Sequence, residues 1–184
     1  MKILAIGGSP RLNGNTNYLI DQSLQEAASL GAQTEKVVLS TLKLNPCLGH
    51  ENCGSTKSCF QKDDGMALLD KFCEADGIIL ASPVYYFDVT SWMKIFIDRN
   101  YFLYRRGIRS KARSVGMIVL AGSTGIEDAI RTLDILVRYS ISYVPEDKLF
   151  RVTGYARHPG DAEHNPTLVN AARELARKMV KGLS

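Results

Sequence analysis

The sequence lacks the marks of most specialised protein classes. Cysteine is scarce, at four of 184 residues, too few for a disulfide framework, and the cytoplasm keeps such thiols reduced. No apolar run approaches the roughly 20 residues that a membrane-spanning helix needs. The chain enters a strand directly at its start, with no signal-peptide pattern, so the cytoplasm is the expected location. Repeats and low-complexity stretches are absent. The balance of 23 Lys and Arg against 19 Asp and Glu leaves a mild net charge of +4. The basic residues are scattered except for Arg105, Arg106, Arg109, Lys111 and Arg113, a cluster that reads as a solvated helix end or as an attractor of anions. Neither a nucleic-acid partner nor a membrane surface is expected.

Two common nucleotide signatures are also missing. There is no G-x-x-x-x-G-K-[ST] loop, which argues against a nucleoside triphosphate. There is no G-x-G-x-x-G, and the second strand, Lys36-Val37-Val38-Leu39, ends in Ser40-Thr41 instead of the acidic residue that would hold a dinucleotide ribose. No Ser/His/Asp triad or paired-carboxylate site is visible. What remains, 45% hydrophobic and 23% charged, is an ordinary composition with material for one domain over residues 1–184 and a sizeable core.

The first loop is the most informative segment present. A short apolar strand, Ile3-Leu4-Ala5-Ile6, runs through Gly7-Gly8-Ser9-Pro10-Arg11-Leu12-Asn13-Gly14-Asn15-Thr16 into an amphipathic helix. A helix start preceded by small residues and exposed N–H groups is an anion site. Ser9 and Thr16 add hydroxyls, Asn13 and Asn15 add amides, and Arg11 adds a guanidinium whose planar fork suits phosphate oxygens. Together they fit one terminal phosphate. An ordinary polar turn with Thr16 as helix cap is the plain alternative.

Beyond this loop, strands and helices alternate. Helices are expected at about 17–30 (Leu19, Ile20, Leu24, Ala27 and Ala28 inward, Gly31 ending it), 65–74, through Trp92–Arg99, from Ile126 through Val137, and from an Asn165 cap with Pro166 at the first helical position. Strands are expected at about 35–40, 77–81, 114–121 and within 148–155. The third, Gly77-Ile78-Ile79-Leu80-Ala81, is apolar on both faces and suits a central parallel strand. Strand–helix alternation implies a parallel sheet covered on both sides. The natural candidate is a flavodoxin-like, doubly wound, three-layer α/β/α fold with five parallel strands in the order 2-1-3-4-5, whose ligand crevice lies at the carboxyl ends of strands one and three. A cysteine-bearing loop is inserted at about 41–63.

Two further loops meet that crevice. Pro83, Val84, Tyr85, Tyr86 and Phe87 place three consecutive aromatics where a planar heterocycle would use their area. Gly122 and Ser123, in the turn Ala121-Gly122-Ser123-Thr124-Gly125, allow close backbone approach. A phosphate grip, an aromatic wall and a narrow polar edge fit a mononucleotide with a large flat ring, and FMN is the obvious one.

Gly8-Ser9-Pro10-Arg11 with Gly14-Asn15-Thr16, then Asp76 through Tyr86, then Lys94-Ile95-Phe96-Ile97-Asp98-Arg99 resemble the NAD(P)H-dependent FMN reductase family, most closely its iron–sulfur flavoprotein branch. The likeness spans roughly the first two-thirds of the chain. It implies FMN as cofactor, with Ser9, Arg11, Asn15 and Thr16 at its phosphate and Pro83 to Phe87 bordering its ring. It also implies NAD(P)H as co-substrate, a quinone, free flavin, another small acceptor or a protein as electron acceptor, and a homodimer or homotetramer with Trp92 to Arg99 at the interface or packed as an ordinary helix. The iron–sulfur branch carries a compact run of four cysteines after strand two. Here Cys47, Cys53 and Cys59 keep the spacing, but His50 stands at the second position. Three readings stay open: a Cys3His cage for a [4Fe–4S] cluster, a zinc site, or no metal. With a cluster the chain would be an electron carrier rather than an enzyme. Cys73 reads as core, and His158 and His164 as surface loop residues.

Overall fold

A computed structural model describes residues 1–183; Ser184, the last residue of the expected domain, lies outside the described residues. Five parallel strands form one sheet in the order β2-β1-β3-β4-β5: β1 (Lys2–Gly7), β2 (Gln33–Val38), β3 (Gly77–Pro83), β4 (Ser114–Ala121) and β5 (Leu149–Tyr155). The helices are α1 (Asn15–Ser29), α2 (Gly65–Glu74), α3 (Ser91–Arg99), α4 (Tyr101–Arg105), α5 (Ile126–Ser140) and α6 (Pro166–Leu183). This is the expected doubly wound fold.

Alternation along the strands builds two cores, because successive side chains point to opposite faces. Leu4, Ile6, Ile78, Leu80, Val115, Met117 and Val119 face one way, into a core shared with α2, α3, α4 and α5. Ile3, Ala5, Ile79, Ala81, Ile118, Leu120 and Val152 face the other, against α1 and α6. The Ser23 hydroxyl, fully buried, shares its one proton between the carbonyls of Leu19 (2.9 Å) and Ala172 (3.0 Å), and the second contact ties α1 to α6. Asn165 caps α6 through its side-chain oxygen, which accepts from the Leu168 N–H at 3.2 Å, and Pro166 takes the first helical position as expected.

Local differences from the expected elements have physical causes. α1 starts at Asn15, capped by Gly14, and Ala28 is exposed. Strand two ends at Val38; Leu39–Thr41 tightens into a 3-10 turn in which Thr41 Oγ donates to the Val38 carbonyl at 2.8 Å. β3 continues through Ser82 and Pro83, which pair with Val119 and Leu120 of β4. After Arg99 the chain carries on into α4.

Residues 42–64 hold only one short 3-10 turn, Cys53–Ser55. They are anchored by a buried ion pair. Both Asp63 carboxylate oxygens accept from Arg99, at 2.6 and 3.0 Å, and the two side chains are 1% and 2% exposed.

Candidate functional site

The carboxyl ends of the central strands are tied together before any ligand is considered. The Gly8 N–H donates to the Ala81 carbonyl at 2.7 Å. Thr90 Oγ1 donates to the Gly8 carbonyl at 2.6 Å and accepts from the Met93 N–H, capping α3. The Thr90 N–H donates to the buried Ser82 hydroxyl at 3.1 Å. A Cβ on Gly8 would lie 2.9 Å from Met93 Cβ and 3.0 Å from Thr90 Oγ1, so only glycine lets α3 seat against the first loop. Asn17, fully buried in α1, donates from its amide to the Arg11 carbonyl at 2.8 Å and holds the loop from below.

Over this frame opens a cavity of about 360 Å³. Ser9, Arg11, Asn13, Gly14, Asn15 and Thr16 form one wall, Pro83, Val84 and Tyr85 a second, and Leu120 and Gly122 the floor between them. The last wall, Ala156, Arg157 and Pro159, comes from the loop after β5. Nine of the predicted cofactor residues thus converge, namely Ser9, Arg11, Asn13, Asn15, Thr16, Pro83, Val84, Tyr85 and Gly122.

The first-loop side of the cavity has the chemistry of an anion site. The α1 N-terminus has no side-chain cap and no acidic residue in its first turn, so its leading N–H groups and the helix dipole face the cavity without an internal anion. Ser9 and Thr16 are buried there. Arg11 is exposed, and its guanidinium has no hydrogen-bond or ion-pair partner among the described residues. No Asp, Glu, His or Cys belongs to the lining.

Three predicted residues stand apart. Tyr86 and Phe87 are the central pair of a tight turn closed by Tyr85 N–H to Asp88 O (2.8 Å) and Asp88 N–H to Tyr85 O (3.2 Å). Their φ values are 47° and 67°, the pattern of a type I′ turn, which non-glycine residues adopt only at a cost. The turn swings their rings outward, 5.7 Å apart edge to face, and Tyr86 is 96% exposed. The aromatic wall is therefore Tyr85 with Pro83 and Val84, and Tyr86 and Phe87 rim it. Ser123 also lies outside the lining. Gly125, at φ 89°, sits under the turn, where a Cβ would come within 2.8 Å of both Phe87 Cα and Val84 Cγ1.

Sequence reasoning missed the β5–α6 loop. Asn15, expected to offer its amide to a phosphate, is instead engaged at both ends. Its Nδ2 donates to the His158 carbonyl at 2.7 Å, and its Oδ1 accepts from the Ala162 N–H at 3.1 Å. The signal was the polar, Pro-Gly-containing segment Arg157-His158-Pro159-Gly160-Asp161, but its approach to the first loop follows from the α1–α6 packing.

Within the first 155 residues the chain matches the family model for NADPH-dependent FMN reductases. The chain belongs to the NADPH-dependent FMN reductase family. A similar protein is an iron–sulfur flavoprotein of Methanocaldococcus jannaschii, 34% identical over 98% of this chain and 96% of that one. An iron–sulfur flavoprotein of Methanosarcina thermophila is 32% identical over 72% of this chain and 71% of its own length. Among solved structures, RosB with a bound 8-demethyl-8-formylriboflavin-5'-phosphate superposes with a TM-score of 0.79 at 16% identity, covering all of this chain and 79% of that one. An archaeal flavodoxin superposes at 0.64 and 14% identity, over 100% and 99%. At such identities the structural likeness establishes the flavodoxin-like fold.

The cysteine segment of this family member does not present a cage. Among the described residues no three His, Cys, Asp or Glu side chains are gathered as metal ligands. Cys53 is buried in the core beneath the sheet. Cys47 lines a separate cavity with Ile97, Tyr101, Tyr104 and Tyr139. Cys59 packs partly against the core, beside Arg99. The His50 ring lies 4.8 Å from that of Phe60. As placed, Cys47, His50, Cys53 and Cys59 do not fit a cluster. Cys73 is half-buried on α2, where burial and then the neighbouring Asp70 and Glu74 charges push its thiol up, which disfavours the thiolate. No helix among the described residues is long and apolar enough to cross a membrane.

Proposed function

We propose that this chain is an FMN-dependent oxidoreductase that takes reducing equivalents from NAD(P)H and passes them to a quinone, a flavin or another small acceptor. The observation that carries the reading is the start of α1, without a side-chain cap, beside a cavity whose facing wall is Pro83, Val84 and Tyr85. That is a place for a phosphate on one side and a flat ring on the other. The donor set fits FMN: buried hydroxyls of Ser9 and Thr16, free helix N–H groups and the unpaired Arg11 guanidinium.

When bound, FMN supplies the hydride and electron chemistry. The chain's own residues bind and orient it. Ser9, Thr16 and Arg11 hold the phosphate, and Asn17 and Thr90 keep the loop that carries them in place. Pro83, Val84 and Tyr85 back the ring, and Gly122 lets the backbone come close to its edge. Tyr86 and Phe87, turned outward at the rim, stand where an incoming nicotinamide or acceptor would pass. No Asp, Glu, His or Cys lines the cavity, so the chain's part in this reading is binding and orientation. Titrating apo-protein with FMN tests the reading: Arg11→Ala is expected to weaken binding about ten- to a hundredfold, the worth of a charge-assisted bond. Equal affinity in the two proteins would remove the phosphate grip.

An electron carrier that joins FMN to an iron–sulfur cluster is the second reading, favoured by the Cys47-His50-Cys53-Cys59 spacing and by relatives named iron–sulfur flavoproteins. Because the four residues do not converge as placed, no step is derived through a cluster.

A further inference from the structure

The cavity carries more positive charge than its first loop supplies. Arg157 lines it from the loop after β5, two residues past the end of the family match at residue 155. We propose that Arg157 is a second charge partner, beside Arg11, for the terminal phosphate of the bound mononucleotide; this rests on reading the cavity as an FMN site.

The loop is built to hold that side chain over the site. The Asp161 carboxylate accepts from the Arg157 N–H at 2.8 Å and from the His158 N–H at 2.7 Å, which turns the chain sharply after β5. Asn15, the first residue of α1, then latches the loop through the His158 carbonyl and the Ala162 N–H. The same helix start that offers free N–H groups to an anion therefore also fixes the position of Arg157. On its other side, Arg157 Cγ lies 4.0 Å from where a Cβ on Gly122 would be, so the aliphatic stem runs beside the Gly122 turn.

Charge matching points the same way. Arg11 and Arg157 are the only charged residues of the lining, and neither guanidinium has a hydrogen-bond or ion-pair partner among the described residues. A phosphate monoester carries nearly two negative charges at neutral pH. One guanidinium would leave part of that charge to the helix N-terminus alone, whereas two guanidiniums with no carboxylate between them match it. Such a site selects a phosphorylated flavin over an unphosphorylated one.

The test is a titration of apo-protein with FMN and, separately, with riboflavin, read by flavin fluorescence, for wild type, Arg157→Ala and Arg157→Lys. Circular dichroism and thermal midpoint show that the variants fold; Arg157 is exposed, so both are expected to match wild type. Arg157→Ala is expected to weaken FMN about tenfold or more while leaving riboflavin within about twofold, and Arg157→Lys is expected to recover part of the loss. Unchanged FMN affinity in Arg157→Ala would overturn the proposal and assign the side chain elsewhere, for example to NAD(P)H if the KM for that substrate rises. Equal losses for FMN and riboflavin would also overturn it, by placing the guanidinium on the ring or ribityl chain. A wild type that binds neither flavin would instead overturn the FMN reading on which the proposal rests.

Discussion

Replacing Asp63 with asparagine removes one half of a buried ion pair, and its cost can be worked from the contacts. The Asp63 carboxylate accepts four bonds: from Arg99 at 2.6 and 3.0 Å, from the Asn45 N–H at 2.8 Å and from the Gly65 N–H at 3.0 Å. Arg99 also donates to the Asn45 carbonyl at 3.1 Å, while its Nε, equally buried, has no partner. The amide of Asp63→Asn would keep the shape but leave the guanidinium charge uncompensated in a site almost without solvent. Breaking such a pair costs about 3–5 kcal/mol, a large part of the roughly 5–15 kcal/mol that holds a typical domain. The pH dependence has a definite sign. Burial pushes the Asp63 carboxyl up, but the Arg99 bonds and the two N–H groups outweigh it and bring its pKa from 3.8 down to about 2. A lowered folded-state pKa means that the unfolded chain binds the proton more readily. The resulting stability, about 2 kcal/mol, is complete above about pH 4 and is lost as pH falls through about 2. Urea unfolding followed by circular dichroism at neutral pH and across the acid range measures both effects. Asp63→Asn should lower the midpoint with little change in slope and should flatten the acid dependence. The double variant Asp63→Leu/Arg99→Met should lose less than Asp63→Asn, since no lone charge remains. A cost below about 1 kcal/mol, the range of an exposed pair, would refute the claim that this contact anchors residues 42–64.

Other predictions concern the cavity and the cysteines. Gly125→Ala should displace the Tyr86–Phe87 turn, costing about 1–3 kcal/mol of stability and weakening FMN binding; an unchanged thermal midpoint and unchanged flavin affinity would contradict the packing of that turn. Asn15→Ala should release the β5–α6 loop, seen as faster amide hydrogen exchange over residues 156–162 together with weaker FMN binding. Cys47→Ser should leave FMN affinity unchanged, because Cys47 lines a different cavity. Iron and sulfide analysis after anaerobic purification is expected to find no stoichiometric cluster, and finding one would mean that residues 47–59 rearrange to form a cage.

Much of the fold was legible because its signals are local. The uninterrupted apolar run of β3 and the strand–helix alternation both follow from burial on two faces, and α2 and β4 begin and end where expected. The convergence of the first loop on one cavity wall was legible for the same reason: its residues are consecutive and need only a helix start. What escaped is tertiary. Arg99 reads as an ordinary charge near a helix end, and nothing near it in sequence reveals Asp63, 36 residues earlier, as its buried partner. Arg157 and the Asn15 latch depend on α1 packing beside α6. Tyr86 and Phe87 were expected in the wall from their aromatic character, but two successive positive φ values turn them to the rim, and side-chain type does not encode that.

Flavin binding and reduction are tested most directly by the visible spectrum of anaerobic protein reconstituted with FMN, before and after NADPH or NADH. One FMN should be retained per chain, and its visible absorbance should be lost on adding the reductant. A colourless protein that fails to bind added FMN, or a bound flavin that neither nucleotide reduces, would contradict the oxidoreductase reading.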